Sequence, residues 1–226
     1  MLRVLVLVLL LCSMAFVACG NSSSPWNEMS IGTERLIHAV WGTSSSDIFA
    51  AGGEGTILHC DGALWHRMST DGLVLDGVTL RAVWGSSSSD VFVVGDKGTI
   101  LHYDGNMWMS MDSGHTNALC GVWGSSSSDV FAVGENGAVL HYNGAEWVHM
   151  TSDTWDWING IWGSYSSDIF AVSAYGTIMH YGGSWTIIAK FPDTGLIGVW
   201  GSSSTDVYAV GLHGTIRTRH EIIFSS

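Results

Sequence analysis

Short apolar runs recur along this chain and are separated by clusters of Gly, Ser and Asp. The second copy shows the unit, with runs from Leu80 to Gly85, from Val91 to Gly95 and from Gly98 to Tyr103, followed by a last run through Trp108. The runs are rich in Val, Ile, Phe and Tyr and end at tight-turn residues, which is typical of short sheet strands. The pattern therefore predicts four strands per unit, here called A to D, and it does not favour helices.

The unit occurs five times. Aligning the Val-Trp-Gly or Ile-Trp-Gly triplets places one tryptophan in each strand A, at spacings of 43, 39, 39 and 38 residues: Trp41, Trp84, Trp123, Trp162 and Trp200. A period near 40 residues with short strands is a β-propeller signature. We predict an all-β propeller of five blades, each with four antiparallel strands, and repeats near 36–77, 78–118, 119–156, 157–195 and 196–226. Ala or Gly stands two residues before each tryptophan, as suits the innermost strand where blades converge.

The two ends of the repeat array differ from its middle. Strand D begins with a tryptophan in four repeats, at positions 65, 108, 147 and 185, and Trp26 with the following Asn-Glu-Met resembles a further copy placed ahead of the first repeat. Residues 26–30 are therefore expected to pair with the last repeat and to close the ring, which removes an exposed edge. The alternative is that the last repeat supplies its own strand D, because Phe224 follows Gly214 at the spacing that separates Trp108 from Gly98.

The N-terminus has the order of a secretory signal. Arg3 precedes a nearly unbroken apolar run from Val4 to Ala18, which ends at Cys19. Phe16-Val-Ala-Cys19 resembles a bacterial lipobox, so we predict a signal peptide at 1–18, lipid attachment at Cys19 and a tether at 19–25. An uncleaved membrane anchor and a conventionally cleaved signal are the alternatives. The prediction places the protein outside the cytoplasm. If the source cell is Gram-negative, it places the protein in the outer membrane, since Gly20 rather than Asp follows the cysteine.

The net charge limits which partners the protein is expected to bind. Twenty acidic residues face eight basic ones, for a formal net charge of −12. Nucleic acid is therefore not an expected partner, and the membrane is expected to be reached only through the N-terminal lipid.

Cys60 and Cys120 lie in different repeats at non-equivalent positions. An oxidising compartment permits a disulfide, but this spacing does not require one, and we expect two buried thiols.

The repeat unit carries a family resemblance, which runs through all five copies from about Leu36 to Ile216. The segment Asp129 to Trp147, DVFAVGENGAVLHYNGAEW, resembles the repeat of photosystem II assembly-factor propellers and, more loosely, of Asp-box (sialidase-type) propellers. The first resemblance implies an extracytoplasmic protein that binds another protein, and the second implies a class that includes glycosidases, lectin-like domains and non-enzymes. His102-Tyr-Asp-Gly-x-x-Trp108 departs from the Asp-box, with His in place of Ser or Thr and one residue fewer before the tryptophan. The resemblance thus transfers the fold and not the activity.

The recurrent polar residues are interpreted as structural. A histidine recurs in strand C of four repeats and an aspartate ends the serine-rich turn before strand B in all five: His59, His102, His141 and His180, with Asp47, Asp90, Asp129, Asp168 and Asp206. Equivalent atoms in different blades do not converge on one ion, and the aspartates can accept hydrogen bonds from turn amides. The serine tracts contain no nucleophile elbow. No catalytic residue, metal or cofactor is predicted, and the sequence favours a non-enzyme.

Function is expected where the repeats differ. The B-to-C hairpins vary at Glu54, Asp96, Lys97, Glu135, Asn136, Tyr175 and His213, and the position three before each strand A tryptophan varies at His38, Arg81, Cys120, Asn159 and Ile197. In a four-stranded meander these positions and the D-to-A connections share one face, so a ligand is expected there. Two tryptophans stand outside the repeat columns, in a connection that also holds two aspartates: Trp155, Trp157, Asp153 and Asp156. Such an aromatic and acidic cluster is suited to stacking on a sugar or anchoring a protein.

The leading hypothesis is a cell-envelope lipoprotein whose propeller binds or scaffolds an envelope protein. A carbohydrate-binding module or Asp-box-type glycosidase is the alternative, and an envelope filler without a discrete ligand is a third. Relaxed drift of solvent loops, with Trp157 simply part of the core, would explain the variable positions without any function.

Overall fold

The computed structural model describes residue 29 and residues 31–220, and within them the fold is five antiparallel sheets built from consecutive strands. The first three sheets have four strands each: β1 Ile37–Ser44, β2 Asp47–Gly52, β3 Thr56–Cys60 and β4 Trp65–Arg67; β5 Leu80–Ser87, β6 Asp90–Gly95, β7 Ile100–Tyr103 and β8 Trp108–Met111; β9 Leu119–Ser126, β10 Asp129–Gly134, β11 Val139–Tyr142 and β12 Trp147–His149. The prediction of an all-β, five-bladed propeller with these strand positions is confirmed.

The fourth and fifth sheets complete the series. Their strands are β13 Ile158–Tyr165, β14 Asp168–Ser173, β15 Thr177–Tyr181 and β16 Trp185–Lys190; then β17 Leu196–Ser203, β18 Asp206–Gly211 and β19 Ile216–His220. The fifth sheet thus contains three strands among the described residues. Three of the B-to-C hairpins contain a short 3-10 turn, at Asp96–Gly98, Glu135–Gly137 and Leu212–Gly214.

Each blade packs on the next through an indole ring that lies over a glycine. The inner strands lie side by side in the order β1, β5, β9, β13, β17. A Cβ added at Gly85, for example, would lie 2.6 Å from the ring of Trp41 of the preceding blade. The same contact recurs at the next three junctions, at 2.6–2.7 Å: Trp84 over Gly124, Trp123 over Gly163 and Trp162 over Gly201. Only glycine leaves room for this approach, which explains the Trp-Gly pair in the repeat.

A second aromatic contact stabilises the outer part of three of the junctions. Phe49 in β2 meets the edge of Trp108 in β8 of the next blade, with ring centroids 6.5 Å apart at 80°. Two further junctions repeat this geometry, with Phe92 against Trp147 at 6.2 Å and 81°, and Phe131 against Trp185 at 6.4 Å and 77°. Edge-to-face aromatic pairs contribute about 0.5–1.5 kcal/mol beyond the area they bury. The tryptophans of strands A and D therefore carry the packing between blades.

Among the described residues, the first and last blades do not show these contacts at their outer ends. Trp200 is 60% exposed, and the nearest atoms to a Cβ at Gly42, the corresponding glycine of the first blade, belong to Asp47 and Ile48 of that blade. Ring closure by residues 26–30 and a strand D at Phe224 fall largely outside the described residues, as do the signal peptide and Cys19. No helix within the described part of the chain is both long enough and apolar enough to cross a bilayer.

The tryptophan-over-glycine contact gives a stability prediction. Gly124→Ala should lower the free energy of unfolding by about 1–3 kcal/mol, because its Cβ would overlap the Trp84 ring and the Asp129 carbonyl. Gly198→Ala is the matched control, since its Cβ would meet only Val210, at 3.5 Å, and Ala already stands at this column in the first two blades. The control should change stability by no more than about 0.5 kcal/mol in chemical denaturation. Equal losses for both variants would contradict the packing account.

Candidate binding surface

The recurrent histidines pair with the recurrent aspartates inside each blade. His102 Nε2 lies 2.7 Å from Asp90 Oδ1, and its ring stacks on Phe92 at 4.4 Å. Equivalent pairs are 2.7–2.8 Å apart in three other blades: His59 with Asp47, His141 with Asp129 and His180 with Asp168. These side chains tie strand C to the turn before strand B, which is the structural role expected from the sequence.

The hydroxyl side chain beside each pair, a threonine in the first blade and a serine in the next three, does not complete a catalytic triad. Ser86 Oγ donates to the second oxygen of Asp90, so serine and histidine both bond the carboxylate and not each other. A hydroxyl nucleophile needs the histidine as its base. In the first blade, burial would raise the pKa of Asp47, but hydrogen bonds from Thr43 and His59 and the charge of His59 outweigh it, so the pKa is lowered. The carboxylate is thus held as an acceptor in the turn.

Metal binding has no support in the described ranges, where no group of three or more His, Cys, Asp or Glu side chains could hold an ion. This finding concerns residue 29 and residues 31–220 alone.

The B-to-C hairpins and the D-to-A connections meet on one face. The connection after the first blade is hydrogen-bonded to the hairpins on both sides of it. Gly55 N, in the hairpin of the first blade, donates to Val78 O, and Asp96 N, in the hairpin of the second blade, donates to Thr79 O, each at 2.9 Å. In the third blade, Glu135 N donates to Ala118 O at 2.9 Å. Each connection is thus bonded to the hairpins on both sides, and the variable residues lie on a continuous, backbone-bonded surface, here called the hairpin face.

The second residue of the hairpin projects from this face in four blades. It has a left-handed backbone with φ between 52° and 58° and an exposed side chain in each case: Glu54, Lys97, Asn136 and His213. Such a conformation is uncommon for residues other than glycine. In the fourth blade Tyr175 has no positive φ but is 64% exposed. The hairpins therefore present a different side chain from each blade.

The first residue of the hairpin, by contrast, is turned inward in the second and third blades. Asp96 accepts hydrogen bonds from Arg81 Nε at 2.6 Å and from Thr79 N at 3.2 Å. Burial would raise the pKa of Asp96, but the bonds from Arg81 and Thr79 and the guanidinium charge outweigh it, and the pKa is lowered. Glu135 similarly accepts from Ala118 N. Asp96, Glu135 and Arg81 therefore hold the loops in place, because their charges are already used in contacts within the protein.

Two predicted residues lie nearer the end of the array. Glu54 pairs with Arg35 at 2.6 Å, and both side chains are more than half exposed. His38 is exposed on β1. Both belong to the first blade, so they lie apart from the acidic and aromatic connection before the fourth blade.

A groove brings three of the predicted residues together. Asn136, Asp153 and Trp155 line a cavity of about 430 Å³ between the hairpin of the third blade and the connection that follows it. Trp155 is 87% exposed, and Asp153 has a left-handed backbone with φ of 55°. Ser152 is buried beneath the groove and donates to Gly137 O at 2.7 Å and Thr154 O at 3.1 Å. An indole, a carboxylate and an amide are thus held open to solvent on a fixed backbone.

The other two members of the sequence cluster have different surroundings. Asp156 Oδ2 accepts from Ser173 Oγ at 3.1 Å and Thr177 Oγ1 at 2.5 Å, which anchors the connection to the next hairpin. Trp157 is 40% exposed and donates from Nε1 to Cys120 Sγ at 2.9 Å. Burial raises the pKa of the Cys120 thiol, against a smaller lowering by the Trp157 bond. Of the four residues in the cluster, Asp153 and Trp155 therefore line the groove, whereas Asp156 and Trp157 make structural contacts.

Sequence reasoning missed Ser152 because its role depends on loop geometry. A signal for it exists, since Ser113 occupies the same place in the previous connection and donates to Gly98 O at 2.7 Å. Cys60 and Cys120 are free thiols in the structure. Cys60 is buried as expected, whereas Cys120 is only half-buried.

Comparison with known proteins gives a fold and no closer relationship. No protein-family model and no curated protein matches the chain. A solved structure of YCF48 from Cyanidioschyzon merolae matches with a TM-score of 0.68 at 14% identity, covering 89% of this chain and 72% of the other. The chain folds like YCF48. A second solved structure, described as YCF48 bound to D1 peptide, matches with a TM-score of 0.54 at 13% identity, covering 88% of this chain and 82% of that one. The predicted resemblance to photosystem II assembly-factor propellers is confirmed for the fold.

Proposed function

We propose that the protein is a cell-envelope lipoprotein, anchored through lipid at Cys19, whose propeller binds a protein partner with its hairpin face. The anchor is supported by the apolar leader and the Phe-Val-Ala-Cys sequence that ends it. Diacylglycerol plus an N-acyl chain supplies more than the single chain that gives only reversible membrane attachment. The tether at 19–25 then separates the propeller from the membrane surface.

The observation that carries the binding proposal is the groove beside Trp155. Its indole is 87% exposed, and the bonds from Ser152 and the hairpin hold the loop beneath it. Exposed tryptophans on rigid loops are frequent anchors of protein interfaces, because they bury a large area at low entropic cost. Lys97, Asn136 and Tyr175 extend the surface across three blades, as a protein partner requires. A YCF48 structure bound to a peptide offers a precedent for this use of the fold.

A carbohydrate ligand is the second candidate, and Trp155 beside Asp153 is the observation that favours it. An indole plate can stack on a sugar ring while a carboxylate accepts from its hydroxyls. The two functions predict different mutational patterns. A sugar site confined to the groove depends on Trp155 and Asp153, whereas a protein interface also depends on the hairpins of the neighbouring blades.

The binding proposal predicts a graded loss of partner capture. A chain carrying Cys19→Ser, immobilised as bait for solubilised envelope extract, should recover a protein stoichiometrically. Trp155→Ala should weaken that binding about tenfold, and Lys97→Ala with Tyr175→Ala should weaken it further, because an interface of several anchors loses each separately. Trp200→Ala is the matched control, since it removes another exposed indole that lies outside the groove.

Equal recovery of the same protein by the native bait and by a bait carrying Trp155→Ala, Lys97→Ala and Tyr175→Ala would contradict this use of the hairpin face. Recovery of glycans alone, abolished by Trp155→Ala, would replace the protein-binding proposal with the carbohydrate one.

The anchor predicts a change in membrane partition. The native chain should be labelled by palmitate in bacterial cells and sediment with membranes, whereas Cys19→Ser should lose the label. Cys12→Ser, in the apolar run of the leader, is the control and should keep both properties. Palmitate labelling of the Cys19→Ser variant would exclude the lipoprotein assignment.

A further inference from the structure

The groove beside Trp155 lies in a long part of the chain that carries acidic residues and no lysine or arginine. The basic residues Lys97 and Lys190 are consecutive in the sequence, and the stretch between them includes the whole third blade and β13 to β15 of the fourth. Eight acidic residues lie in the same stretch: Asp104, Asp112, Asp129, Glu135, Glu146, Asp153, Asp156 and Asp168. A surface with charge of one sign attracts ligands of the opposite sign, so this region favours a cation.

The loop that carries the groove shares its backbone with the preceding D-to-A connection but has different side chains. In both connections a buried serine donates to a hairpin carbonyl at 2.7 Å. The residue after the serine has a left-handed backbone in both, with φ of 61° at Gly114 and 55° at Asp153. Two positions further on, Thr116 in the earlier connection corresponds to Trp155 in the later one. The later connection therefore adds a carboxylate and an indole to a backbone that also forms without them.

The Asp153 carboxylate is not used by the described part of the protein. Among residues 31–220 it makes no hydrogen bond and no ion pair, and the Trp155 indole makes no hydrogen bond or ring contact. Asp156, by contrast, accepts hydrogen bonds from two hydroxyl groups. The hairpin residue beside the groove is Asn136, whereas the equivalent residue of the second blade is Lys97. The chain thus places no basic side chain of its own at this hairpin.

The groove continues into a second cavity along β12, the outer strand of its sheet among the described residues. The two cavities share Met150, Thr151 and Asp153, so Asp153 lies where they meet. The second cavity measures about 610 Å³ and extends past Val148 to Ser184, in the C-to-D turn of the fourth blade. The two together suit an extended polypeptide segment that places one of its side chains in the groove.

We propose that the groove binds an arginine side chain from a basic, extended segment of the protein partner, an inference that rests on the proposed binding function and names the chemistry of that partner. A guanidinium is planar, so it can stack on the Trp155 indole and donate two hydrogen bonds to the Asp153 carboxylate. The Asn136 Oδ1 atom can accept a further hydrogen bond from it. A lysine ammonium has no plane to stack and is held less well.

An arginine uses more of the site than a sugar does. A neutral sugar ring would stack on Trp155 and donate to Asp153, but it would gain nothing from the acidic stretch between Lys97 and Lys190. An anionic ligand would be repelled by that stretch. Only a cation gains from the indole, the carboxylate and the surrounding charge together.

Peptides that differ in one side chain test the proposal. Acetyl-Gly-Gly-Arg-Gly-Gly-amide is titrated into the chain carrying Cys19→Ser, and NMR follows the Asn136 side-chain amide and the Trp155 indole N–H, which is identified by its loss in Trp155→Phe. The arginine peptide should shift both signals saturably at millimolar concentration. The same peptide with citrulline, which has nearly the shape of arginine but no charge, should bind at least about tenfold more weakly. The lysine peptide should lie between them.

Variants of the groove supply a second readout, followed at the Asn136 amide. Trp155→Ala should weaken binding of the arginine peptide about tenfold, and Asp153→Asn about threefold to fivefold, as expected for an exposed ion pair. Asparagine also tolerates a left-handed backbone, so Asp153→Asn should keep the loop folded. Asp193→Asn is the matched control, because it removes the same charge from another D-to-A connection, outside the groove. It should change the affinity by less than about twofold, since distant exposed charges are screened.

Equal affinity for the arginine and citrulline peptides, or no saturable shift up to about 10 mM, would overturn the arginine site. Equal affinity for the arginine and lysine peptides would overturn the choice of a guanidinium. If Trp155→Ala still weakens capture of the envelope partner in those cases, the proposed function stands and this inference alone fails. If the capture experiment fails as well, both are overturned. A shift of the same signals by chitotriose, with none by the arginine peptide, assigns the groove to carbohydrate and overturns the inference.

Discussion

The packing of an indole over a glycine at each blade junction is the constraint on which the rest of the structure depends. The ring of Trp41, Trp84, Trp123 or Trp162 fills the space that a side chain would take in the next blade. This contact sets the approach of the inner strands, and that approach brings the strand B phenylalanine of one blade against the strand D tryptophan of the next. A side chain at the glycine would separate both layers of the junction.

Because the blade junctions use nearly the same contacts, few positions within a blade can vary in sequence. The His-Asp pair fixes strand C to the turn before strand B, and the backbone bonds of the D-to-A connections fix the hairpins to each other. Variation is thereby confined to side chains that project from the hairpin face and to the connection that carries Trp155. Sites placed on rigid supports lose little conformational entropy on binding. The scaffold and the candidate groove are thus two consequences of the same packing.

Periodicity was sufficient to predict the fold, since every strand A and strand D tryptophan among the described residues lies in the strand expected of it. The structural role of the recurrent histidines could also be predicted, because equivalent atoms of different blades cannot converge. The division of the acidic and aromatic cluster could not. Asp153 and Asp156 look alike in sequence, but only the structure shows that Asp156 bonds Ser173 and Thr177 while Asp153 lines the groove.

Hydrogen exchange of the native chain tests most directly whether the junctions unite the blades into one rigid scaffold. The middle strands β6, β10 and β14 are buried between neighbouring blades, so their amides should exchange only through a common opening. Mass spectrometry at increasing denaturant should show these three strands losing protection together, while the loop around Trp155 stays at its own lower and constant level. Loss of protection one blade at a time would contradict the account, because it would mean that the blades are stable separately and that the indole-glycine contacts do not hold them together.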